Sequence, residues 1–242
     1  MPRSKTPIYS LARGKVNMSM NRYNLYNLAR KDLRNWVGQK TMYQQKWFAK
    51  AETRAYHGRY LTERQFKSHF EEKLLGTPGT SGGRDASAIP LASQTYAGLE
   101  KRLDFAVFRA LFATSIQQAR QMVIHGKVKV NGEKVRRITA PGHRLQPGDH
   151  FLVDPKSVLT VLSANPSAVA SEPDLPSAEA AFKIRPYFAP FAFIPTYLEV
   201  SQASCSAIYL RDPIASPGTS EVPSPFPQPI QALAYRWYVR GR

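Results

Sequence analysis

Residues 102–153, RLDFAVFRALFATSIQQARQMVIHGKVKVNGEKVRRITAPGHRLQPGDHFLV, leave the chain few ways to fold. Leu103, Ala106, Val107, Ala110 and Leu111 recur at helical spacing and form one apolar face. Asp104 stands near the start of that helix, where a carboxylate suits the dipole. A second helix is expected from Ser115. Ser115 with Gln118, or equally Thr114 with Gln117, supplies a capping box. Ile116, Ala119 and Val123 make its buried stripe, and Gly126 ends it as a left-handed cap. Val128 and Val130 then alternate with Lys127 and Lys129, and Asn131-Gly132 is the preferred pair for a two-residue hairpin turn. Val135 continues on the return strand, and Pro147-Gly148-Asp149 marks a tight turn before the closing strand Phe151, Leu152, Val153.

The polar positions of the same stretch are Arg102, Arg109, Arg120, Gln121, His125, Lys127, Lys129, Lys134, Arg136 and Arg137, and the pattern predicts that they face outward. A merely solvated surface mixes its signs. Here Glu133 is the sole acid between residues 105 and 148. A stripe of one sign repels itself unless a polyanion neutralises it, so a phosphate-binding surface is the better reading.

Arg102-Leu103-Asp104, Arg109, Ala119-Arg120-Gln121, His125-Gly126, Val130-Asn131-Gly132 and Pro147-Gly148-Asp149 stand in an order and spacing that resemble the small RNA-binding module named after small-subunit ribosomal protein four. That module also occurs in some pseudouridine synthases, tyrosyl-tRNA synthetases and a ribosome-associated heat-shock protein, so the rest of the chain must decide. QQKWFAKAETRAYHGRYLTERQFKSHF resembles the helical segment that precedes the module in the ribosomal family, and Arg54-Ala55-Tyr56-His57-Gly58 resembles its mitochondrial branch. IPTYLEVSQASCSAIYLRDP resembles a family segment in which a Leu-Glu-Val strand returns toward the helical domain. QALAYRWYVRGR resembles the family's C-terminal end. Departures are the 157–182 stretch, the proline-rich 213–229 stretch, and the lack of the N-terminal zinc-binding cysteines of some bacterial members.

Charge agrees with this. The net charge is +17, which favours a nucleic-acid or anionic-membrane partner. No apolar run approaches the roughly 18 residues that mark a membrane-spanning helix. The first 75 residues carry net +11 and residues 101–156 net +7, whereas 157–182 carry net −3. Cys205 is the single cysteine, so neither an intrachain disulfide nor a cysteine-cluster zinc site can form.

Taken in order, residues 1–31 contain no acid. They fit a mitochondrial targeting segment, or a tail that threads between RNA helices and is disordered until neutralised. Residues 44–75 read as two helices. Trp47, Phe48, Ala51 and Ala55 stripe the first, which Gly58 closes; Thr62 with Gln65 caps the second, striped by Phe66, Phe70 and Leu74. Helix packing is the preferred reading of the aromatics. The row Lys46, Lys50, Arg54 is balanced between a solvated face and RNA contact. GTPGTSGG at 76–83 lacks the Gly-Lys-Ser/Thr of a phosphate-cradling loop and reads as linker. SANPSAVASEPDLPSAEA reads as a low-complexity spacer, and the prolines of 213–229 as extended chain.

No catalytic constellation emerges. His57, His69, His125, His143 and His150 show no metal spacing, and Asp104, which a pseudouridine-synthase reading would use, fits a cap or an arginine partner better.

The expectation is an α+β protein: a basic helical N-terminal domain plus a small RNA-binding module of two helices and a hairpin-based sheet, with extended N- and C-terminal segments. The expected divisions are 1–39, a basic extension; 40–99, helical domain and linker; 100–156, the module; 157–182, the spacer; and 183–242, an aromatic and proline-rich extension. Arg102, Arg120, Lys127, Lys129 and Lys134 are the leading phosphate contacts, and Gln121, His125 and Asn131 the candidates for sugar or base-edge bonds. Arg109, Arg136, Arg137, Lys46, Lys50 and Arg54 complete the expected RNA-binding set. The resemblance implies a structural constituent of the mitochondrial small ribosomal subunit, located in the matrix. Its implied partners are small-subunit rRNA, neighbouring small-subunit proteins, and mRNA near where it enters the subunit. No cofactor, metal, membrane or small-molecule substrate is expected. An RNA-modifying enzyme or a ribosome-associated RNA chaperone with the same module are the alternatives.

Overall fold

A computed structural model describes residues 14–31, 40–71, 96–134, 140–158, 186–216 and 219–240. In chain order the helices are α1 (Arg22–Arg30), α2 (Met42–His57), α3 (Glu63–Glu71), α4 (Ala97–Glu100), α5 (Leu103–Arg109), α6 (Ile116–Ile124) and α7 (Gln228–Arg240). The strands are β1 (Val128–Val130), β2 (Glu133–Lys134), β3 (His150–Val153), β4 (Leu198–Ser201), β5 (Ser206–Tyr209), β6 (Ala215–Ser216) and β7 (Thr219–Ser220). The protein is α+β. It divides into two compact units, residues 99–213 and residues 1–98 with 214–242. Expectations that fall on 1–13, 76–83, Leu74, 135–139 and 159–182 lie outside the described residues.

The 99–213 unit combines α5 and α6 with a five-stranded antiparallel sheet, in the order β2-β1-β3-β5-β4. All five expected apolar positions of the α5 region are buried, and so are Phe105 and Phe108. The helix is enclosed on more than the one face that periodicity outlines.

At the start of α6 the cap is Ser115 with Gln118, the first of the two alternatives, and not Thr114 with Gln117. Ser115 Oγ accepts from Gln118 N–H at 3.2 Å, while the Gln118 side chain accepts from Thr114 N–H at 2.9 Å. Gly126 has φ +67° and ends the helix as expected. Asn131 and Gly132 both have positive φ, +50° and +84°, as a type I′ hairpin turn requires. Gly148, at φ +93° after Pro147, makes the next turn.

Alternation sorts the sheet into two faces. Val130, Phe151, Ala207 and Val200 are register partners on the core side. Lys129, Leu152, Ser206 and Ser201 are partners on the other. Phe151–Val153, expected to close the module, is therefore part of its central strand. The Leu-Glu-Val segment does not return to the helical unit; it is β4, an edge of this sheet, because its partner β5 pairs with β3. The 183–242 stretch is thus shared between the two units, with the division after Pro213.

The other unit holds α1, α2, α3 and α7, together with a small hairpin of β6 and β7. The expected capping box holds at α3: Thr62 and Gln65 exchange side-chain to backbone bonds at 3.2 and 3.3 Å. Thr41 and Gln44 form another at α2. Gly58 ends α2 against the Phe66 ring, which leaves no room for a Cβ.

Two expectations fail here. Residues 14–31 are not a tail awaiting RNA: Val16, Met18, Met20 and Leu25 are buried, and the Asn24 side chain bonds the backbone of Asn17 and Ser19. The stripe on α2 is also misread. Ala49, Glu52, Thr53 and Tyr56 face the core, while Trp47 is half exposed. Burial of Glu52 is tolerable because Lys31 pairs with it, and Thr53 returns its hydroxyl to the Ala49 carbonyl at 2.7 Å. Simple hydropathy cannot anticipate a polar residue that faces inward with its partner. Among the described residues no helix is long and apolar enough to cross a membrane, and no three metal-ligating side chains are gathered together.

Candidate nucleic-acid interface

The module's expected outward set separates into interior and surface groups. Arg109 belongs to the interior: only 3% of the residue is exposed. Its guanidinium donates through Nε and Nη2 to the two Glu100 oxygens at 2.9 and 2.8 Å, and Tyr197 donates to the same carboxylate at 2.8 Å. The Tyr197 hydroxyl is pushed well above its ordinary range, first by burial and then by the Glu100 charge. Arg109 therefore cannot be an RNA contact, and its place in the RNA-binding set is corrected. The buried acid lies nine positions back and the tyrosine far along the chain, so no local pattern pointed to them.

Arg102 is largely occupied as well. Its Nε and Nη2 donate to the two oxygens of Asp104 at 3.1 and 2.9 Å, and its side chain lies against Gly142. Asp104 is buried beneath it. Burial raises that carboxyl pKa, opposed by the Arg102 hydrogen bond, the Arg102 and Arg120 charges and the Phe105 N–H. Asp104 thus has the arginine partner expected of it. Arg102 is a brace for the start of α5 more than a leading phosphate ligand.

Asn131 is likewise a clasp. Its amide donates to Asp149 at 2.9 Å and accepts from the His150 N–H at 3.0 Å, which ties the hairpin turn to the 146–149 turn. This bonding uses one of its two N–H donors and one acceptor site, and the residue stays exposed.

The end of α6 and the strand after it form the surface group. The Arg120 side chain is 38% exposed and faces an Asp104 oxygen 3.9 Å away. Gln121 and His125, one turn apart, are both exposed and joined at 3.1 Å through their Nε2 atoms. Lys127 is about half exposed and pairs with Asp154 at 3.1 Å; that bond holds the Asp154 carboxyl below its ordinary range. Lys129 is exposed on the outer side of the sheet, and its backbone partner is Lys134. Arg136 and Arg137 lie outside the described residues. Helix α6 thus delivers Arg120, Gln121 and, at its cap, His125 at i, i+1 and i+5, and Gly126 turns the chain so that Lys127 and Lys129 follow directly.

In the helical unit the row Lys46, Lys50, Arg54 is not uniformly available. Lys50 and Arg54 converge on Glu63 at 2.7 and 3.0 Å, and Arg54 also donates to the Leu61 carbonyl. Lys46 stands on the same helix, half-buried. Cys205 is buried, and burial raises its thiol pKa.

Two helices packed with an antiparallel hairpin, the second helix and the hairpin carrying the surface cations, make up a small module, and residues 101–151 match the S4 domain family. The chain is 43% identical, over 97% of its length and 80% of the relative's, to small ribosomal subunit protein uS4m of Schizosaccharomyces pombe. It is 30% identical to small ribosomal subunit protein uS4 of Chlorobium phaeovibrioides over 72% of this chain and 68% of that one. A 41% identity to a uS4 protein of Thermus thermophilus covers 40% of each chain. The chain belongs to the uS4 family of small ribosomal subunit proteins, which are structural proteins and not enzymes.

Proposed function

We propose that this chain is a structural constituent of the mitochondrial small ribosomal subunit, in the matrix, and that it binds small-subunit rRNA through the 100–156 module. The observation that carries this is the 43% identity to a uS4m protein over 97% of the chain, well beyond the S4 domain itself. Arg120, Lys127, Lys129, Lys134, Arg136 and Arg137 neutralise phosphates, and release of their counterions drives binding. Gln121 and His125 bond sugars or base edges of a folded RNA selected by shape. Neighbouring small-subunit proteins are further partners, with mRNA where it enters the subunit.

Sucrose-gradient sedimentation of mitochondrial lysate tests this. A structural constituent stays with small subunits through a high-salt wash, whereas a reversible RNA chaperone leaves. Recovery in a cytosolic fraction would remove the mitochondrial part of the reading alone.

A further inference from the structure

Trp47 packs against another helix, as the preferred reading of the α2 aromatics expects, yet it stays 52% exposed. Tyr43 stands one turn before it on the same face and is 54% exposed. Both rings rest against Trp237 of α7, at centroid distances of 5.5 Å for Tyr43 and 5.4 Å for Trp47, and Trp237 itself is buried. The buried indole props the two outer rings in place. Each is a half-solvated ring with one buried aromatic neighbour.

The charges around the rings are cationic. The Lys50 ammonium lies 5.0 Å from the Trp47 ring and 5.2 Å from the Trp237 ring. Lys46, three positions after Tyr43 on the same helix, is half-buried, and Arg236, next to Trp237 in sequence, is exposed. Lys50 and Arg54 pair with the Glu63 carboxylate. Apolar side chains alone would suit a protein neighbour. Half-exposed π faces with a lysine ammonium over one of them instead suit an unpaired nucleotide, whose base stacks beside a cation.

We propose that Tyr43 and Trp47 form a stacking platform for unpaired RNA bases, a second RNA-binding site in the helical unit apart from the module. The proposal rests on the rRNA-binding reading above and adds a site, a ligand class and a mode of recognition to it. Stacking tolerates any base, so the platform anchors a single-stranded stretch without reading its sequence. Because stacking releases no counterions, it adds affinity without adding salt dependence.

The test uses the full chain and a fluorescent oligouridylate about twelve nucleotides long, a length suited to single-strand sites, with a base-paired RNA of equal length as reference. Tyr43→Ala with Trp47→Ala should weaken oligouridylate binding about tenfold or more, leave duplex binding within about twofold, and leave the salt slope unchanged. Trp47→Phe should restore most of the affinity. Trp47→Leu guards against misfolding: it keeps apolar bulk against Trp237 but offers no ring, so a folded Trp47→Leu protein that binds like wild type overturns the proposal. Normal RNA binding by the double variant with failure to join small subunits also overturns it, in favour of a protein neighbour. If wild-type protein binds neither RNA, the underlying rRNA reading falls; if it binds both and the ring variants match it, the platform alone falls.

Discussion

Two basic segments of this protein look alike in sequence and differ in what surrounds them. On α2, Lys46, Lys50 and Arg54 make a regular row, yet Lys50 and Arg54 are drawn onto Glu63, and Lys50 also lies over aromatic rings. From α6 into β1, Arg120, Lys127 and Lys129 are spaced irregularly and remain at the surface. The acids that oppose them among the described residues are Asp154 and, at 3.9 Å, Asp104. Regular spacing of cations therefore does not measure their availability. What matters is whether the fold brings a carboxylate to them. Arg109 is the extreme case, a member of the outward set that the fold encloses.

The largest effect is expected where the cation is interior. Arg109→Met leaves Glu100 charged and buried, and should lower stability by about 3–5 kcal/mol in urea unfolding followed by circular dichroism. If stability held and RNA affinity fell instead, Arg109 would belong with the surface group. Next, Arg120→Glu with Lys127→Glu should reduce affinity for an rRNA fragment about hundredfold. It should also flatten the salt slope by roughly 1.5–2 units, since two phosphate contacts are lost. The equivalent reversal of Lys50 and Arg54 should change unfolding more than the slope, which separates the two segments directly. An equal loss of slope in both would erase the distinction.

Smaller effects sharpen it. Glu63→Gln frees Lys50 and Arg54, and should shift stability by no more than about 1 kcal/mol while raising RNA affinity modestly. Asp154→Asn removes the acid beside Lys127 and should tighten rRNA binding by about twofold at low salt, with the effect fading as salt rises. Its carboxyl titrates below the ordinary range, so its contribution to folding is present above the unfolded value of about 4 and disappears as the pH falls through the lower folded value. An acid titration of Asp154→Asn should therefore lack that part of the stability loss.

Much of the module was legible because its signals are local. Ser115 and Gln118 cap α6, Gly126 ends it, and Asn131-Gly132 turns the hairpin; each acts within a few residues and follows from backbone conformation alone. The surface group was legible in part for a related reason: α6 and β1 are consecutive, so helical and strand periodicity place Arg120, His125 and Lys129 on outer faces. Arg109 was misassigned, and the partners of Arg102 and Asn131 went unforeseen, because periodicity does not encode side-chain pairing. Asp104 lies close by in sequence, but Glu100, Tyr197 and Asp149 had to be carried into reach by the fold.

The amino-acid order by itself determined the module's helices, caps and turns and the excess of positive charge, since these depend on neighbours along the chain. Tertiary structure alone decided which cations stay at the surface, that Leu198–Ser201 completes the module's sheet, and that Trp47 faces solvent. Each of those outcomes depends on a partner brought from a distant part of the chain, and burial and pairing are properties of where the chain meets itself.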